Sequence, residues 1–461
     1  MKLTFLTALS PLDGRYQKKL DNLRLIFSEY GLIRYRVLIE IQWLLFLSYE
    51  SSLTEIPKLT ALNYEKLKAI SKNFDMQAAE SIKEIEKTIN HDVKAVEYYL
   101  QQQLKKEKEF ADLIHFIHFG CTSEDINNLS YSLMINETRA KVLIPVIKKI
   151  GLHLQTMAKD YAELPLLSRT HGQPATPTTL GKELANTVER IHVQYRHFIN
   201  IKLLGKINGV VGNFNAHQAA YPDFDWPGFA KCFVESLGLK LNAYTTQIEP
   251  HDRLSELLQS LIRLNNILID FCQDIWGYIS LGYFYQKAIK NEVGSSTMPH
   301  KVNPIDFENA EGNLGIANAL ANHMANKLPI SRWQRDLSDS TVMRNLGCVF
   351  GYSLVAYESL LKGLTKISTN ENRIKEDLNS HWEVLAEALQ TVMRRYGISN
   401  AYEQLKELTQ DKSINENQLR DFVEKLSLPK KAKEYLQSLT PTSYIGFAPS
   451  LAKKVRNFKW N

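Results

Sequence analysis

The amino-acid sequence predicts an all-α protein, and three observations lead to this expectation. Glycine and proline, 21 and 15 residues of 461, make up about 8 % of the chain, against roughly 12 % in typical globular proteins. Apolar residues recur at helical spacing over long segments. The 44 % hydrophobic content can build a sizeable core and excludes an intrinsically disordered chain. At this length two or three domains are expected.

Charge and cysteine usage exclude several classes of protein. The net charge of +6 is spread along the chain, and the basic runs at 430–433 and 453–456 are short enough to be solvated helix faces. We therefore expect no nucleic-acid partner. The four cysteines are scattered, which favours reduced thiols over a disulfide framework. No window holds the ~18 uncharged apolar residues of a membrane span, so the sequence predicts a soluble, cytoplasmic protein with no membrane association.

The N-terminal part alternates helices with polar turns. A helix is predicted over 22–48, preceded by a turn at 10–16 that presents Arg15 and Tyr16. Another helix covers 93–100, with Asn90 as its N-cap and His91 and Asp92 in its first turn. The helix dipole disfavours a charged His91 there. The spacing fits both a capping cluster and a ligand contact.

Two features before the central helices have a structural and a functional interpretation. His115 and His118 stand three residues apart, a spacing that can bind metal, but no further ligand cluster supports a site and none is expected. Thr122 and Asp125 fit the pattern that begins a helix. The hydroxyls of Thr122 and Ser123 at a helix N-terminus would equally form an anion site, and the spacing does not separate these alternatives.

Helical patterns cover 129–161 and 178–204. In the connection between them, Thr176 is predicted as an N-cap and Pro177 as the first helical residue. His171 precedes this start beside a glycine, in irregular backbone. Arginine, threonine and glutamine surround it, which makes it a better functional candidate than an isolated histidine.

The longest helical pattern runs over 251–287 and would form a helix of about 35 residues, roughly 50 Å long. Its apolar residues cover much of its circumference, which indicates a helix bundle, and one shared between subunits. Further helices are predicted at 306–327 and 340–363. From residue 365 shorter, more charged helices indicate a separate small domain.

A polar segment, Gly-Ser-Ser-Thr-Met-Pro-His-Lys-Val-Asn-Pro at 294–304, separates two long helices. A solvated turn is the ordinary interpretation, but the density of hydrogen-bond donors favours an anion-binding or catalytic loop. The segment lacks the Walker A pattern, because Lys301 follows histidine and precedes valine. The chain also lacks a nucleophile elbow, a His-Glu-x-x-His helix and a Rossmann glycine pattern. Cofactor-free acid–base chemistry on a small anion remains.

The segment at 294–304 resembles the loop motif of the fumarase/aspartase superfamily of elimination lyases. Together with Thr-His-Gly-Gln-Pro-Ala-Thr-Pro at 170–177, it makes the chain similar to the bacterial adenylosuccinate lyase family. Four other segments carry the same resemblance: Asp-Gly-Arg-Tyr at 13–16, Asn-His-Asp at 90–92, Thr-Ser-Glu-Asp-Ile-Asn-Asn at 122–128 and Arg-Trp-Gln-Arg-Asp at 332–336.

The resemblance implies three all-α domains, at 1–118, 119–364 and 365–461. The central domain would be a long-helix bundle that carries the catalytic loop and forms the core of a homotetramer, with active sites shared between subunits. The implied reactions eliminate fumarate from adenylosuccinate, giving AMP, and from the succinyl-aminoimidazole-carboxamide ribotide (SAICAR), giving AICAR. No cofactor or metal is implied.

Residue roles follow from the same resemblance. Ser295 would be the base and His171 the acid. The nucleotide phosphate would be bound by Arg15, Tyr16, Arg335, Ser340 and Arg344. The succinyl carboxylates would be bound by Thr122, Ser123, Ser296, Lys301 and Asn303. The pocket would be completed by Gln247, Asn309, Asn90, His91 and Asp92.

Two other functions compete with this interpretation. An argininosuccinate lyase or a fumarase would share the superfamily, but the motifs at 170–177 and 297–303 favour the purine enzyme. A binding protein without catalysis would share the fold, but both Ser295 and His171 are retained within intact motifs.

Overall fold

The computed structural model describes residues 1–287, 298, 301–409 and 414–460. α-Helices dominate these residues, and the strands among them form three ribbons of two strands each. The predicted all-α fold class is therefore confirmed.

The helices vary from single turns to long rods. Those of the N-terminal half are α1 (Asp21–Phe27), α2 (Glu29–Tyr49), α3 (Ala61–Lys72), α4 (Met76–Ile89), α5 (Asp92–Leu104), α6 (Ser123–Thr138), α7 (Ile144–Asp160), α8 (Leu180–Asn200), α9 (Asn215–Ala220) and α10 (Trp226–Ser236). Those of the C-terminal half are α11 (Asp252–Ser280), α12 (Ile305–Lys327), α13 (Ser338–Met343), α14 (Leu346–Lys366), α15 (Glu371–Asn379), α16 (Ala386–Arg395), α17 (Ala401–Thr409), α18 (Glu416–Lys425), α19 (Lys430–Ser438) and α20 (Ala448–Lys454).

The strands are short and join helix ends. Two ribbons are antiparallel and one is parallel. The antiparallel pairs are β1 (Pro165–Thr170) with β2 (Gln173–Thr179), and β5 (Phe284–Gln286) with β6 (Ile367–Thr369); the parallel pair is β3 (Leu204–Gly205) with β4 (Lys240–Leu241).

Internal contacts divide the chain into two compact units. Unit 1 comprises residues 1–146, 196–265 and 313–356, and unit 2 comprises 147–195, 266–312 and 357–461. Five long helices (α7, α8, α11, α12 and α14) contribute residues to both units. The division into three domains, at 1–118, 119–364 and 365–461, stays a prediction.

Each unit has its own apolar core. In unit 1, α2 is buried along most of its length and packs Trp43 and Phe46 against Phe233 and Phe229 of α10, with the rings tilted or edge to face. In unit 2, a core of aliphatic side chains gathers the short C-terminal helices, with Leu389 among its most buried members.

Two predicted helices differ from those observed. The helix predicted over 22–48 is interrupted at Ser28, which has an extended backbone and caps α2 by accepting a hydrogen bond from the Gly31 N–H at 3.2 Å. The helix predicted over 251–287 has 29 residues and ends at Ser280. Gly282 there has a φ of +75°, a left-handed conformation that glycine adopts without strain and that stops the helix before β5.

The helix start predicted at Thr176 and Pro177 is wrong, because both residues lie in β2 and α8 begins at Leu180. His171 and Gly172 have φ values of +53° and +77°, the two positive values of a type I′ turn, and they close a two-residue hairpin. Threonines favour extended backbone, and an edge strand of a two-stranded ribbon tolerates proline. Strand pairing therefore outweighs the local capping signal.

Candidate active site

A cavity of about 420 Å³ in unit 1 brings together motifs from distant parts of the chain. Seven of the residues selected from the sequence line it: Asn90, His91, Asp92, Ser123, Arg335, Ser340 and Arg344. The start of α5, the start of α6 and the segment around α13 thus contribute to one wall of polar and charged groups.

The N-terminus of α6 is fixed by its own side chains. The Asp125 carboxylate accepts a hydrogen bond from the Thr122 N–H at 2.8 Å, so the predicted capping box is confirmed. Ser123, the first residue of the helix, faces the cavity. A helix N-terminus with exposed donors favours anions, because its backbone dipoles point toward the ligand.

Asp125 also forms a buried ion pair below the cavity. Its Oδ1 lies 2.7 Å from the Lys206 Nζ, and both side chains are fully buried. The same carboxylate accepts from the N–H groups of Asn208 and Gly209 at 3.0 Å. Lys206 donates onward to the carbonyl of Gln247 at 2.9 Å. One buried ion pair therefore fixes two segments of unit 1, at 206–209 and at Gln247, to the start of α6.

His91 is the N-cap of α5, a role the sequence had suggested for Asn90. Asn90 instead ends α4 in the left-handed region, with a φ of +53°, which asparagine tolerates well. The His91 Nδ1 accepts the Lys94 N–H at 3.1 Å. A ring nitrogen that accepts a hydrogen bond carries no proton, so the proton of the neutral imidazole is on Nε2. His91 is more than half exposed and lines the cavity.

Asp92 is held between two arginines. Its Oδ2 accepts from the buried Arg36 at 2.7 Å and from Arg344 at 3.0 Å. Burial alone would raise the pKa of this carboxyl group, but the two guanidinium groups and the Val93 N–H outweigh burial and lower the pKa. Arg36 also donates to Asn127, another residue that lines the cavity, at 2.9 Å.

The two cavity arginines are both paired with carboxylates. Arg335 donates to the Glu124 carboxylate at 3.0 Å and to the Gln247 side-chain oxygen at 3.2 Å. Burial raises the pKa of Glu124, and the charge of Arg335 opposes that rise. Arg344 donates to Glu29 at 2.7 Å in addition to Asp92. The cavity thus offers strong anion-binding groups whose charges are balanced in the absence of a ligand.

Unit 2 carries the predicted acid, His171, and three predicted binding residues, Lys301, Asn303 and Asn309. His171 lies exposed at the tip of the β1–β2 hairpin. Arg169 in β1 donates to the Asp377 carboxylate at 2.6 Å, which joins the hairpin to α15, and Tyr283 donates to the same oxygen. Lys301 is exposed, and its N–H donates to the Met298 carbonyl at 3.0 Å.

Asn303 is partly buried, and Asn309 lies on α12. Ser295 and Ser296 fall outside the described residues, so the predicted base and its neighbour have no structural description.

Comparison with known proteins places the chain in a family. The family model described as Lyase matches residues 14–319, and the model described as Adenylosuccinate lyase C-terminal matches 331–445. Adenylosuccinate lyase of Haemophilus influenzae is 54 % identical over 99 % of this chain and 100 % of its own length. The Vibrio cholerae and Escherichia coli K12 adenylosuccinate lyases are 54 % and 52 % identical over the same shares. The chain belongs to the adenylosuccinate lyase family.

Solved structures with little sequence identity support the fold alone. A fumarate lyase from Mesorhizobium sp. BNC1 gives a TM-score of 0.77 at 17 % identity, covering 95 % of this chain and 98 % of its own. The 3-carboxy-cis,cis-muconate lactonizing enzyme of Pseudomonas putida gives 0.72 at 20 % identity, covering 94 % and 96 %. This chain therefore shares its fold with a fumarate lyase and with a lactonizing enzyme.

Four predicted binding residues of unit 1 do not line the cavity. Arg15 is exposed and Tyr16 is partly buried, in a turn where the Tyr16 N–H donates to the Pro11 carbonyl at 2.9 Å. Thr122 lies one residue before Ser123, and Gln247 reaches the cavity wall only through its bond to Arg335.

The histidine pair considered as a metal site has another role. His118 lies with its Nδ1 2.6 Å from the Glu40 carboxylate. Burial lowers the pKa of His118, but the Glu40 charge and hydrogen bond raise it by more, to about 9. Within residues 1–287, 298, 301–409 and 414–460, no group of three or more histidine, cysteine or acidic side chains could hold a metal ion. In the same part of the chain, no helix is both long and apolar enough to cross a membrane.

Sequence reasoning missed the charged residues that support the site. Arg36 and Glu40 interrupt the apolar pattern of α2, where Ile33, Val37 and Ile41 are buried. Charged residues on the buried face of a helix need partners, so this pattern was a usable signal. No comparable signal pointed to Lys206.

Proposed function

We propose that this chain catalyses the adenylosuccinate lyase reactions, eliminating fumarate from adenylosuccinate to give AMP and from SAICAR to give AICAR. The observation that carries the proposal is the cavity of unit 1, which seven of the residues predicted to bind the substrate line. The full-length similarity to bacterial adenylosuccinate lyases supports the same conclusion.

Both reactions are β-eliminations that break a carbon–nitrogen bond, and they share one difficulty. The proton to be removed is on a carbon next to a carboxylate and is only weakly acidic. The carbanion that forms must be stabilised by fixed hydrogen-bond donors and cations, and the departing nitrogen must receive a proton. A suitable site therefore needs one base, one acid and an excess of anion-binding donors.

Ser295 and His171 supply the base and the acid in this proposal. A serine hydroxyl is normally too weakly acidic to give up its proton, so it serves as a base only where donors and a cation such as Lys301 stabilise its alkoxide. His171 suits the role of acid because its side chain is exposed at a rigid two-residue turn, where a substrate can reach it.

The anionic groups of the substrate are assigned to the other donors. The nucleotide phosphate binds Arg335 and Arg344 through charge-assisted hydrogen bonds, with Arg15, Tyr16 and Ser340. The carboxylates bind the N-terminus of α6 through Thr122 and Ser123, together with Ser296, Lys301 and Asn303. The pocket is completed by Gln247, Asn309, Asn90, His91 and Asp92.

We further propose a homotetramer whose active sites combine residues of several subunits. The proposed acid belongs to unit 2, whereas the arginine-lined cavity belongs to unit 1. Trp276 on α11 and Ile316 on α12 are about half exposed, and a subunit interface would cover such large apolar side chains. Unpaired cysteines at all four positions agree with a reducing cytoplasm.

An absorbance assay with the purified chain tests the reaction. Adenylosuccinate, SAICAR, argininosuccinate and fumarate are offered separately at equal concentrations. Turnover of the first two supports the proposal. Absence of turnover with adenylosuccinate would refute it, and turnover of argininosuccinate or of fumarate alone would assign the chain to another member of the superfamily.

His171→Asn tests the proposed acid without disturbing the turn, because Asn-Gly is the preferred sequence of a type I′ hairpin. We expect kcat to fall by about 10²- to 10⁴-fold, while the far-ultraviolet circular dichroism spectrum and the melting temperature stay unchanged. A kcat within threefold of the parent, on the order of 0.7 kcal/mol, would exclude His171 as the acid.

Subunit exchange between His171→Asn and Ser295→Ala tests the shared site. If the two residues of one site come from different subunits, some sites of a mixed tetramer contain both native residues. We expect the mixture to regain activity that neither variant has alone. No regain after proven exchange would contradict shared sites.

A further inference from the structure

The Arg344 guanidinium binds two carboxylates at once. Its NH1 donates to Glu29 at 2.7 Å and its NH2 donates to Asp92 at 3.0 Å. Arg344 lines the cavity and is about two-fifths exposed. An incoming anion therefore meets a guanidinium that already has negative partners.

The two carboxylates differ in how firmly they are held. Asp92 is mostly buried, and it also binds the buried Arg36 at 2.7 Å and the Val93 N–H at 2.9 Å. These bonds fix Asp92 whatever Arg344 does. Glu29 is 40 % exposed at the first residue of α2. Its other partner is the Lys83 ammonium at 3.2 Å, on the neighbouring helix α4.

We propose that Glu29 competes with the phosphate group of the substrate for the Arg344 guanidinium, and that it moves fully to Lys83 when the phosphate binds. Asp92 remains in place and keeps Arg344 oriented. This inference rests on the proposed function, in which Arg344 binds a phosphate monoester. It adds that the affinity of the site is set partly by a carboxylate that no family motif includes.

Electrostatics favours displacement over simultaneous binding. A phosphate at hydrogen-bond distance from NH1 would lie next to the Glu29 carboxylate, and like charges at that separation repel. An ion pair this exposed contributes little free energy, so breaking it costs little. Lys83 supplies a cation to which Glu29 is already bonded, so its charge stays paired after the exchange.

The charges around Arg344 agree with this assignment. Burial lowers the pKa of its guanidinium, but neighbouring groups raise the pKa by more, and of the two carboxylates Glu29 contributes the larger increase, ahead of Asp92. Glu29 is therefore the anion whose removal changes the electrostatic environment of Arg344 most.

The chain contains a matched control for the test. Glu86 on α4 lines the same cavity and pairs with the same Lys83, at 2.6 Å. Glu29→Gln and Glu86→Gln remove one negative charge each from the same neighbourhood. Of these two glutamates, Glu29 is the one that bonds to Arg344. A difference between the variants therefore reports the bond and not the overall field.

Binding of inorganic phosphate to the full-length protein is measured by titration calorimetry at constant ionic strength, and KM for adenylosuccinate is measured in parallel. We expect Glu29→Gln to lower both the phosphate dissociation constant and KM by about two- to fivefold, the range set by one exposed ion pair. Glu86→Gln should produce less than half of that change. In an Arg344→Gln background, Glu29→Gln should change either constant by no more than Glu86→Gln does.

The outcomes separate this inference from the proposed function. Equal shifts in the two glutamate variants, no shift, weaker phosphate binding in Glu29→Gln, or no phosphate binding in any protein would each overturn competition by Glu29. The calorimetric measurement does not depend on catalysis, so a parent protein that binds phosphate but does not turn over adenylosuccinate would refute only the proposed function.

Discussion

The buried pair of Lys206 and Asp125 allows the sharpest test of how the site is built. Lys206→Met keeps the length of the side chain and removes its charge, leaving a fully buried carboxylate without its cation. Breaking a buried ion pair from one side costs about 3–5 kcal/mol. Asp125 keeps three backbone N–H donors, from Thr122, Asn208 and Gly209, so we expect the lower end, about 3 kcal/mol.

Urea unfolding at fixed chain concentration, followed by circular dichroism, measures this loss. The control is Lys375→Met, which makes the same chemical change in a pair with Glu371 that is about half exposed, at 3.2 Å. That loss should be about 0.3–0.5 kcal/mol. Because the partners are coupled, Lys206→Met with Asp125→Asn should lose less than the sum of the single variants. If Lys206→Met lost no more stability than Lys375→Met, the buried pair would not support the site.

Two further predictions concern stability. Glu40 raises the pKa of His118 from 6.5 to about 9 despite burial, so the resulting stabilisation is complete below about pH 6.5 and is lost as the pH rises through about 9. The urea midpoint of the parent should fall over that range, and the midpoint of His118→Asn should change less; asparagine tolerates the left-handed φ of +58° at this position. Parallel pH profiles would contradict this prediction. Gly181→Ala places a methyl carbon 2.4 Å from the Ala158 carbonyl oxygen and should lower the free energy of unfolding by about 1–3 kcal/mol. Gly277→Ala, in an α-helix where no described atom beyond the helix's own backbone lies within 4 Å of the new methyl, should raise the free energy of unfolding by about 0.5–1 kcal/mol. The same urea titration compares the two variants, and equal shifts would contradict the packing argument.

Helices were predictable where local signals determine them. The helix predicted over 306–327 is observed as α12, Ile305–Lys327, because it begins directly after Pro304 and ends before Pro329, and both prolines are local signals. The pattern at 340–363 proved to be two helices, α13 and α14, separated by Arg344 and its neighbour. Periodicity does not register a break that leaves the apolar spacing intact.

The hairpin that carries His171 was not predictable from local signals. Thr176 and Pro177 form a credible helix start when they are considered alone. In the structure, β1 pairs with β2 in a register that opposes Arg169 to Pro174. The hairpin is joined to α15 through a bond from Arg169 to Asp377, more than 200 residues along the chain. Contacts between segments so far apart leave no trace in a short sequence window.

The candidate site was predictable for its donors and not for its acceptors, and charge balance explains why. Motifs record donors that are proposed to bind the substrate, such as Arg335. Cations in a partly buried cavity also need counter-charges when no ligand is bound, and Glu124 and Glu29 provide them from other elements. Ligand binding at such a site exchanges one set of anions for another, so the net charge next to each donor changes less than the number of donors implies. Affinity then depends on how easily each internal carboxylate is displaced, which makes these carboxylates determinants of specificity that the donor motifs alone do not reveal.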